Sequence, residues 1–257
     1  MPPERPVRAL SVVVPAYNEG DNLAGAVSTI LEAGRILDEI EVLLVNDGSA
    51  DHTGAVADRL AGEHPNVTAI HHPRNLGFAA AYHSGLTRAT LPYFTFLPGD
   101  NEVAPESVRA IFDAIGQADL VVPYHGTPWR RAWHRRILTA VSVGEINLLF
   151  GWRMRYFQGP TVYSTDLARR LPVTTGQFFF VTEMLVHALR AGYSYVQVPL
   201  THQERAYGRS KAVAVSNIIN AEKTIFHLWW NIRVQGYRAV PRVGSSAALE
   251  LREGVQL

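Results

Sequence analysis

Short apolar segments alternate with amphipathic helical segments in the first half of the chain, and this alternation restricts the fold more than any other feature. The apolar segments lie at residues 10–14, 40–45, 67–70 and 93–97, and helical patterns follow them at residues 23–31, 51–60, 78–89 and 105–116. Strands that are apolar on both faces and separated by helices are typical of a parallel sheet covered by helices on both sides. The first half of the chain is therefore predicted to be α/β.

The second half of the chain shows a less regular pattern. Strands are predicted at residues 120–124 and 193–198, and helices at residues 130–150, 181–191 and 212–234. A chain of 257 residues is long enough for one such domain with a substantial core. We expect a flexible N-terminus over residues 1–8, a single domain over residues 9–235 and a C-terminal tail over residues 236–257.

The composition argues against several classes of partner and site. A formal net charge of +1 lacks the excess of Lys and Arg that nucleic-acid binding needs, so no nucleic-acid partner is expected. Because the chain has no cysteine, a metal site must use oxygen and nitrogen ligands. Neither a run of roughly eighteen apolar residues nor an apolar signal region is present, which predicts a cytoplasmic chain without a membrane span.

Three local motifs of other α/β enzymes are missing from the sequence. There is no Gly-x-Gly-x-x-Gly that opens a helix after a strand, no Gly-x-x-x-x-Gly-Lys-Ser/Thr and no Gly-x-Ser-x-Gly. A dinucleotide oxidoreductase, a P-loop phosphotransferase and a serine hydrolase are therefore not indicated. His71 and His72 are adjacent, so on a strand they face opposite ways and cannot both bind one metal ion. We interpret them as polar residues at the end of a strand.

Polar loops follow the four predicted strands of the first half. Their sequences are PAYNEG (15–20), NDGSAD (46–51), HHPRNLG (71–77) and PGDNE (98–102). Right-handed crossovers place all four loops at one edge of the sheet, where ligands bind in such folds. The polar side chains at that edge are those of Asn18, Glu19, Asp47, Arg74, Asn75, Asp100 and Glu102. Asn, Asp, Gly and Pro also make ordinary turns, so one such loop favours a structural role, whereas four at one edge favour a ligand site.

Five motifs, in order along the chain, give it a resemblance to a known family. They are SVVVPAYNEGDNLAGAV, EVLLVNDGSADHT, NLGFAAAYHSGL, FLPGDNE and HQERAYGRSKA. Over residues 9–235 the sequence resembles the inverting glycosyltransferases of family 2, in particular the branch of dolichyl-phosphate mannosyltransferase and the polyprenyl-phosphate hexose synthases. The Arg-x-x-Gly-x-Ser-Lys element is what points to this branch. The resemblance implies a glycosyltransferase A-type fold, a mostly parallel Rossmann-like sheet with helices on both faces.

The resemblance also implies which residues bind the donor, a nucleoside-diphosphate sugar. Pro15, Tyr17, Asn18 and Glu19 would bound the base and ribose, and Asp47 would hold the base or the ribose. A carboxylate at the end of a strand can accept hydrogen bonds from base N–H groups or ribose hydroxyls, which discriminates strongly when the contact is buried. The Asn-x-Gly of the third motif adds Asn75 and Gly77 to the expected donor-binding residues.

The segment 98–102 is the expected site of Mg²⁺ or Mn²⁺. Asp100 falls on the second Asp of the family's Asp-x-Asp motif, and Glu102 falls where the mannosyltransferase branch has a metal-contacting Gln. Both ions prefer hard oxygen ligands and keep positions for water and substrate phosphates. Pro98 occupies the position of the first Asp. The alternative is that Asp100 or Asn101 only initiates the turn before a helix that begins near Pro105.

The acceptor implied by the resemblance is a polyprenyl phosphate. Arg205, Ser210 and Lys211 would hold its phosphate, with Asp100 and Arg205 assisting the transfer. An ionised phosphate needs no general base, whereas a hydroxyl acceptor does; Glu183, within the apolar FFFVTEMLVHAL, is the candidate base. Its alternative role is that of a capping or salt-bridged Glu. The cluster Arg130, Arg131, Arg135 and Arg136 is either a further phosphate contact or a solvated face.

Two other functions stay open at this point. The protein could rearrange or cleave a nucleotide sugar without a lipid, or it could be a degenerate protein that only binds nucleotide sugars. The predicted helix 212–234 bears an apolar stripe that fits packing on the sheet, and Trp229, Trp230 and Arg233 resemble an interfacial anchor. We therefore expect the cytoplasmic protein to be able to lie on the inner face of the membrane. Its oligomeric state is not indicated.

Overall fold

The computed structural model of the chain describes residues 7–126, 133–173, 179–203, 225 and 229–230, without the side chains of residues 133–138. The first half contains the four predicted pairs of strand and helix: β1 Ala9–Ala16, α1 Gly20–Gly34, β2 Glu39–Asn46, α2 Thr53–Glu63, β3 Val67–His71, α3 Phe78–Arg88, β4 Tyr93–Phe96 and α4 Pro105–Asp113. The predicted alternation of strands and helices in this half is therefore confirmed.

The second half departs from the prediction in several places. It contains β5 Leu120–His125, α5 Trp133–Phe150, β6 Tyr163–Ser164, α6 Thr165–Arg170, α7 Phe180–Arg190 and β7 Tyr195–Leu200. The sequence did not indicate β6 and α6. The expected start of the last strand at residue 193 was wrong, because Gly192 turns the chain with φ 80° and Ser194 donates its N–H to Asp119 Oδ2 at 2.7 Å.

Parts of the predicted organisation lie outside the described residues. These are residues 1–6, the tail 236–257 and, apart from Ile225, Trp229 and Trp230, the predicted helix 212–234. Arg8, within the N-terminus predicted to be flexible, donates its guanidinium to the carbonyl of Phe112 at 2.7 Å. Ile225 is buried in the core, as the predicted packing of that helix on the sheet requires.

The main sheet has the strand order β3-β2-β1-β4-β6. Its first four strands are parallel, and β6 pairs antiparallel with β4 at the edge. β5 and β7 form a separate parallel pair, which touches the region of β6 through a bridge between Val121 and Val162. Because β1 to β4 are parallel, the loops that follow them lie at one edge of the sheet, as predicted.

β1, β4 and most of β2 bury both of their faces, which explains why they lack polar alternation, whereas the edge strand β3 leaves Thr68 exposed. In β1, Leu10, Val12 and Val14 belong to one core, packed with α1, α2 and α4. Val13 belongs to the opposite core, packed with α3, α6 and α7. Side chains of a strand alternate between faces, so a strand covered on both sides is mostly apolar, and the buried polar residues Ser11 of β1 and Thr95 of β4 are hydrogen-bonded. Among the described residues, no helix is both long and apolar enough to cross a bilayer.

Candidate active site

The loops after β1 and β2 are joined by direct hydrogen bonds. Asn18, which has φ 56°, donates its backbone N–H to Ser49 Oγ at 3.0 Å and accepts from Ala50 N through Oδ1 at 2.9 Å. The N–H of Glu19 donates to Thr53 Oγ1 at 2.9 Å. The predicted donor residues Tyr17, Asn18 and Glu19 therefore lie on a braced loop at the edge of the sheet, with Tyr17 41% exposed, whereas Pro15 still belongs to β1.

Asp51 also connects the same two loops. Its carboxylate accepts from Thr53 N at 2.9 Å and from Gly20 N at 3.2 Å. Burial by itself would raise the pKa of Asp51, but the hydrogen bonds from Thr53 and Gly20 outweigh it, and the pKa lies below its ordinary value. An ionised Asp51 thus holds the first residues of both α1 and α2.

Asp47 lies at the end of β2 and is 4% exposed. Its Oδ1 accepts from His72 Nδ1 at 2.7 Å and from Leu76 N at 2.9 Å. Its Oδ2 accepts from Gly77 N at 2.8 Å. Asp47 therefore organises the loop after β3, and its predicted contact with the nucleoside would be an additional hydrogen bond.

Gly48 is the point where the loops after β2 and β3 touch. Its φ is 65°, and a Cβ at this position would lie 2.2 Å from the carbonyl carbon of Arg74 and 2.6 Å from Asn75 N. Only a residue without a side chain fits here. This contact brings the exposed residues Arg74 and Asn75 beside Asp47, on the predicted donor edge.

The acidic loop after β4 is held in place by residues that follow β7. Gln203 donates its backbone N–H to the carbonyl of Glu102 and its Nε2 to the carbonyl of Asn101, both at 2.8 Å. His202 pairs with Val103 in an isolated antiparallel bridge. The residues that follow β7 thus pack against the loop that contains Asp100 and Glu102.

Asp100 makes a turn within this loop but does not cap the helix that follows. Its Oδ1 accepts from Glu102 N at 3.1 Å, and Asn101 has φ 56°. The N-cap of α4 is Ala104, which makes no side-chain capping bond. The turn proposed as an alternative therefore exists, whereas helix capping does not explain the acidic residues.

The acidic loop has the chemistry that a magnesium or manganese ion requires. Asp100 and Glu102 are both partly exposed and offer hard oxygen ligands at the edge of the sheet. Within the described ranges, no three His, Asp or Glu side chains are grouped closely enough to share one ion. An ion held by these two carboxylates would complete its shell with substrate phosphates and water, as these ions commonly do.

Glu183 lies in the first turn of α7 and is 2% exposed. Phe180, one turn earlier, packs against Phe78 at the start of α3, with ring centroids 5.4 Å apart. Burial lowers the pKa of His187, one turn later, while the charge of Glu183 acts in the opposite direction. Glu183 is thus beneath the donor edge rather than on its surface, and its role as a base stays a prediction.

Several predicted residues lie outside the described part of the chain. These are the acceptor residues Arg205, Ser210 and Lys211, together with Arg130, Arg131 and Arg233. Arg135 and Arg136 lie in α5, but only their backbone is described. Of the two tryptophans predicted to be an interfacial anchor, Trp230 is 42% exposed. Their ring centroids are 6.5 Å apart.

Three histidines near the candidate site were not among the predicted site residues. His72, interpreted as an ordinary polar residue, has a side chain that is only 8% exposed and contacts Asp47. The ring of His125, at the end of β5, lies 4.2 Å from that of Tyr156 and 5.1 Å from that of His202. For His202 a signal was present, since it opens the motif HQER. For His72 and His125 no sequence pattern indicated the contact.

Comparisons with known proteins agree on the family and the fold. The model of the family described as Glycosyl transferase family 2 matches residues 11–180. The polyprenol monophosphomannose synthase of Mycolicibacterium smegmatis is 30% identical over 249 residues, which cover 89% of this chain and 89% of that protein. The undecaprenyl-phosphate mannosyltransferase of Micrococcus luteus is 27% identical over 250 residues, covering 88% of this chain and 96% of that protein.

Solved structures resemble the chain in fold. A glucosyl-3-phosphoglycerate synthase of Mycobacterium tuberculosis, in complex with Mn²⁺, uridine diphosphate and phosphoglyceric acid, has a TM-score of 0.63 at 16% identity, covering 87% of this chain and 78% of that one. TarS of S. aureus, in complex with UDP-GlcNAc, has a TM-score of 0.59 at 15% identity, covering 87% and 67%. The predicted glycosyltransferase A-type fold is thus confirmed.

Proposed function

The chain belongs to glycosyl transferase family 2, and on that premise we propose that this glycosyltransferase moves a hexose from a nucleoside-diphosphate sugar to a polyprenyl phosphate. The observation that carries the proposal is the resemblance to a polyprenol monophosphomannose synthase along 89% of both chains. This resemblance extends beyond the family model, which ends at residue 180, and so includes the part of the chain with the Arg-x-x-Gly-x-Ser-Lys element. Mannose is the first sugar to test.

The donor would lie across the loops after β1, β2 and β3. Tyr17, 41% exposed, offers a ring face to the base, and Asp47 offers a buried carboxylate to an N–H or O–H of the nucleoside. The hydrogen bonds that brace these loops hold the backbone around Tyr17 and the carboxylate of Asp47 in place, which lowers the entropic cost of binding. Asn75 and Gly77 would line the path from the nucleoside to the diphosphate.

Asp100 and Glu102 would hold a divalent cation at the diphosphate. When bound, such an ion neutralises charge on the phosphate oxygens. The protein's own contribution is to fix the carboxylate of Asp100, through its bond to Glu102 N, and the backbone of the loop, through the two bonds from Gln203. The loop backbone therefore need not reorganise when the donor arrives.

The transfer step would be a displacement with inversion at the anomeric carbon. A phosphate oxygen of the acceptor forms the new bond to this carbon while the bond to the nucleoside diphosphate breaks and its electron pair leaves with the diphosphate. The acceptor phosphate is already ionised, so no base is needed. It requires cations that hold it in line, and Arg205 and Lys211 are proposed for this role.

A hydroxyl acceptor would place a different demand on the protein. It would need a general base within hydrogen-bond reach of the attacking oxygen. The candidate Glu183 is 2% exposed in the first turn of α7. A phosphate acceptor needs no such group, so the two acceptors make opposite demands on Glu183.

A lipid acceptor requires access to the membrane surface. The exposed Trp230 and its neighbour Trp229 are proposed to contact the interface, since indole rings favour the headgroup region. The protein would then work as a cytoplasmic enzyme attached to the inner face of the membrane.

A turnover assay with matched variants tests the proposal. The protein is incubated with UDP- and GDP-linked hexoses, Mn²⁺ and polyprenyl phosphate, and release of nucleoside diphosphate is measured with and without the lipid. We expect release only with the lipid. Arg205→Ala should abolish transfer and leave donor affinity unchanged, while Arg209→Ala, at a position that the Arg-x-x-Gly-x-Ser-Lys motif leaves unspecified, should keep activity.

Each other result points to a different function. An altered nucleotide sugar without lipid would indicate a sugar-modifying enzyme, and binding without turnover would indicate a degenerate binding protein. Full transfer by Arg205→Ala, or equal activity on a soluble hydroxyl acceptor, would contradict the lipid-phosphate assignment. It would indicate a hydroxyl acceptor with Glu183 as the base.

A further inference from the structure

The carboxylate of Asp47 has little free hydrogen-bonding capacity. A carboxylate offers about four acceptor positions, roughly two on each oxygen. Within the described part of the chain, Oδ1 already accepts from His72 Nδ1 and Leu76 N, and Oδ2 accepts from Gly77 N. Oδ1 is therefore fully used, and one position on Oδ2 remains for a ligand.

His72 connects this carboxylate to a helix. Because a carboxylate only accepts, the contact at 2.7 Å requires that Nδ1 of His72 carries a proton. The other ring nitrogen, Nε2, lies 2.8 Å from Ser84 Oγ on α3. A hydroxyl can donate or accept, so Ser84 satisfies Nε2 whether or not the ring is charged. The ring is thereby fixed between the end of β2 and the surface of α3.

The burial of this pair makes the contact strong. The side chains of His72 and Asp47 are 8% and 5% exposed, so little water competes for their hydrogen bond. Hydrogen bonds that involve an ionised group are also stronger than those between neutral groups. Loss of the imidazole would leave Oδ1 with one partner and allow the carboxylate to rotate away from the loop after β3.

We infer that His72 is a positioning residue for donor binding: it saturates Oδ1 of Asp47 and thereby presents only Oδ2 to the nucleoside. This inference rests on the proposed function, which assigns Asp47 to the nucleoside. His72 itself contacts no substrate and acts through Asp47.

Two near-isosteric substitutions separate the two contacts of the imidazole. The amide nitrogen of Asn can occupy the position of Nδ1, so His72→Asn should keep the bond to Asp47 and lose the bond to Ser84. The amide nitrogen of Gln can occupy the position of Nε2, so His72→Gln should do the reverse. A role limited to packing would not distinguish Asn from Gln in this order.

Nucleotide affinity is the first measurement. Calorimetric titrations with uridine diphosphate and guanosine diphosphate, each with Mn²⁺, identify the nucleotide that the parent protein binds more tightly. His72→Gln and His72→Ala should raise its Kd about tenfold or more, which is what the loss of one hydrogen bond to a charged group amounts to. His72→Asn should stay within about threefold of the parent protein. His64→Asn, at the C-cap of α2 and thus at the helix end away from the donor loops, is the control and should leave the Kd unchanged.

Amide hydrogen exchange is the second measurement and does not depend on the donor. The N–H groups of Leu76 and Gly77 donate to Asp47, so both should exchange faster in His72→Gln and His72→Ala and at the parent rate in His72→Asn. Equal affinities and equal exchange rates in all three variants would overturn the inference while the proposed function stands. A parent protein that binds no nucleoside diphosphate, those of adenosine, cytidine and thymidine included, would overturn the proposed function, and the exchange rates would then decide whether His72 positions Asp47.

Discussion

Replacing Gly48 by Ala should destabilise the protein through two separate effects. The residue has φ 65°, and the left-handed conformation costs a residue with a Cβ about 1–2 kcal/mol. The new Cβ would also lie 2.2 Å from the carbonyl carbon of Arg74, a backbone atom that cannot rotate away. Overpacking of this kind costs typically about 1–3 kcal/mol. The expected loss in the free energy of unfolding is therefore about 2–5 kcal/mol.

Two other glycines separate these effects. Gly77 has φ 92° and ψ 164° but has no atom within 4 Å of an added Cβ, so Gly77→Ala should show the strain of this backbone region alone, about 1–3 kcal/mol. Gly62, in α2, also has nothing within 4 Å and no positive φ, so Gly62→Ala should be stabilising by about 0.4–1 kcal/mol.

Urea unfolding followed by circular dichroism measures all three variants, provided that the slope m does not change. Gly48→Ala should be the least stable protein, followed in order of increasing stability by Gly77→Ala, the parent protein and Gly62→Ala. A Gly48→Ala protein as stable as the parent would refute the direct contact between the loops after β2 and β3.

Three further predictions concern the metal, pH and the membrane. Asp100→Asn should weaken nucleoside diphosphate binding in Mn²⁺ but not in EDTA, whereas Glu106→Gln on α4 should not; an Asp100→Asn protein equal to the parent in both buffers would remove the metal role. Burial lowers the pKa of His187, so folding loses stability as the pH falls from about 6.5 towards the folded-state pKa. Denaturant titrations at several pH values should show a smaller loss of the free energy of unfolding over this pH range in His187→Asn; the same pH dependence as in the parent protein would contradict the prediction. Trp230→Ala should reduce sedimentation with anionic phosphatidylglycerol vesicles at low salt, and Tyr195→Ala, which removes an aromatic residue of similar exposure, should not; equal binding of both would locate the membrane contact elsewhere.

The sequence predicted the elements whose pattern is local. The parallel part of the sheet was predictable because β1, β2 and β4 are largely buried on both faces and each of the four strands is followed by a helix with its own stripe. β6 could not be predicted, because two residues, Tyr163 and Ser164, pair with β4 and have no periodicity of their own. The start of β7 depended on Gly192 and on a bond between Ser194 and Asp119, which is 75 positions away.

The location of the candidate site could be predicted from the sequence, but its contacts could not. Parallel topology alone brings Asp47 and Asp100 to one edge. It does not reveal that Asp47 is largely occupied by the loop after β3, since this depends on the rotamer of one buried carboxylate and on His72. Nor does it reveal that Gln203 holds the acidic loop, because the two segments are 102 positions apart.

The clamp from Gln203 onto the carbonyls of Asn101 and Glu102 also determines when the acidic loop can form. The pairing of β1 to β4 uses only residues of the first half of the chain, so these strands can pair early during synthesis. The clamp has a much longer sequence separation and becomes available only after β7 has been made. A nascent chain that stops before β7 would therefore contain the four parallel strands and the donor loops, but its acidic loop would lack two of the hydrogen bonds that fix it. Competence to bind a cation would thus follow the formation of the donor loops.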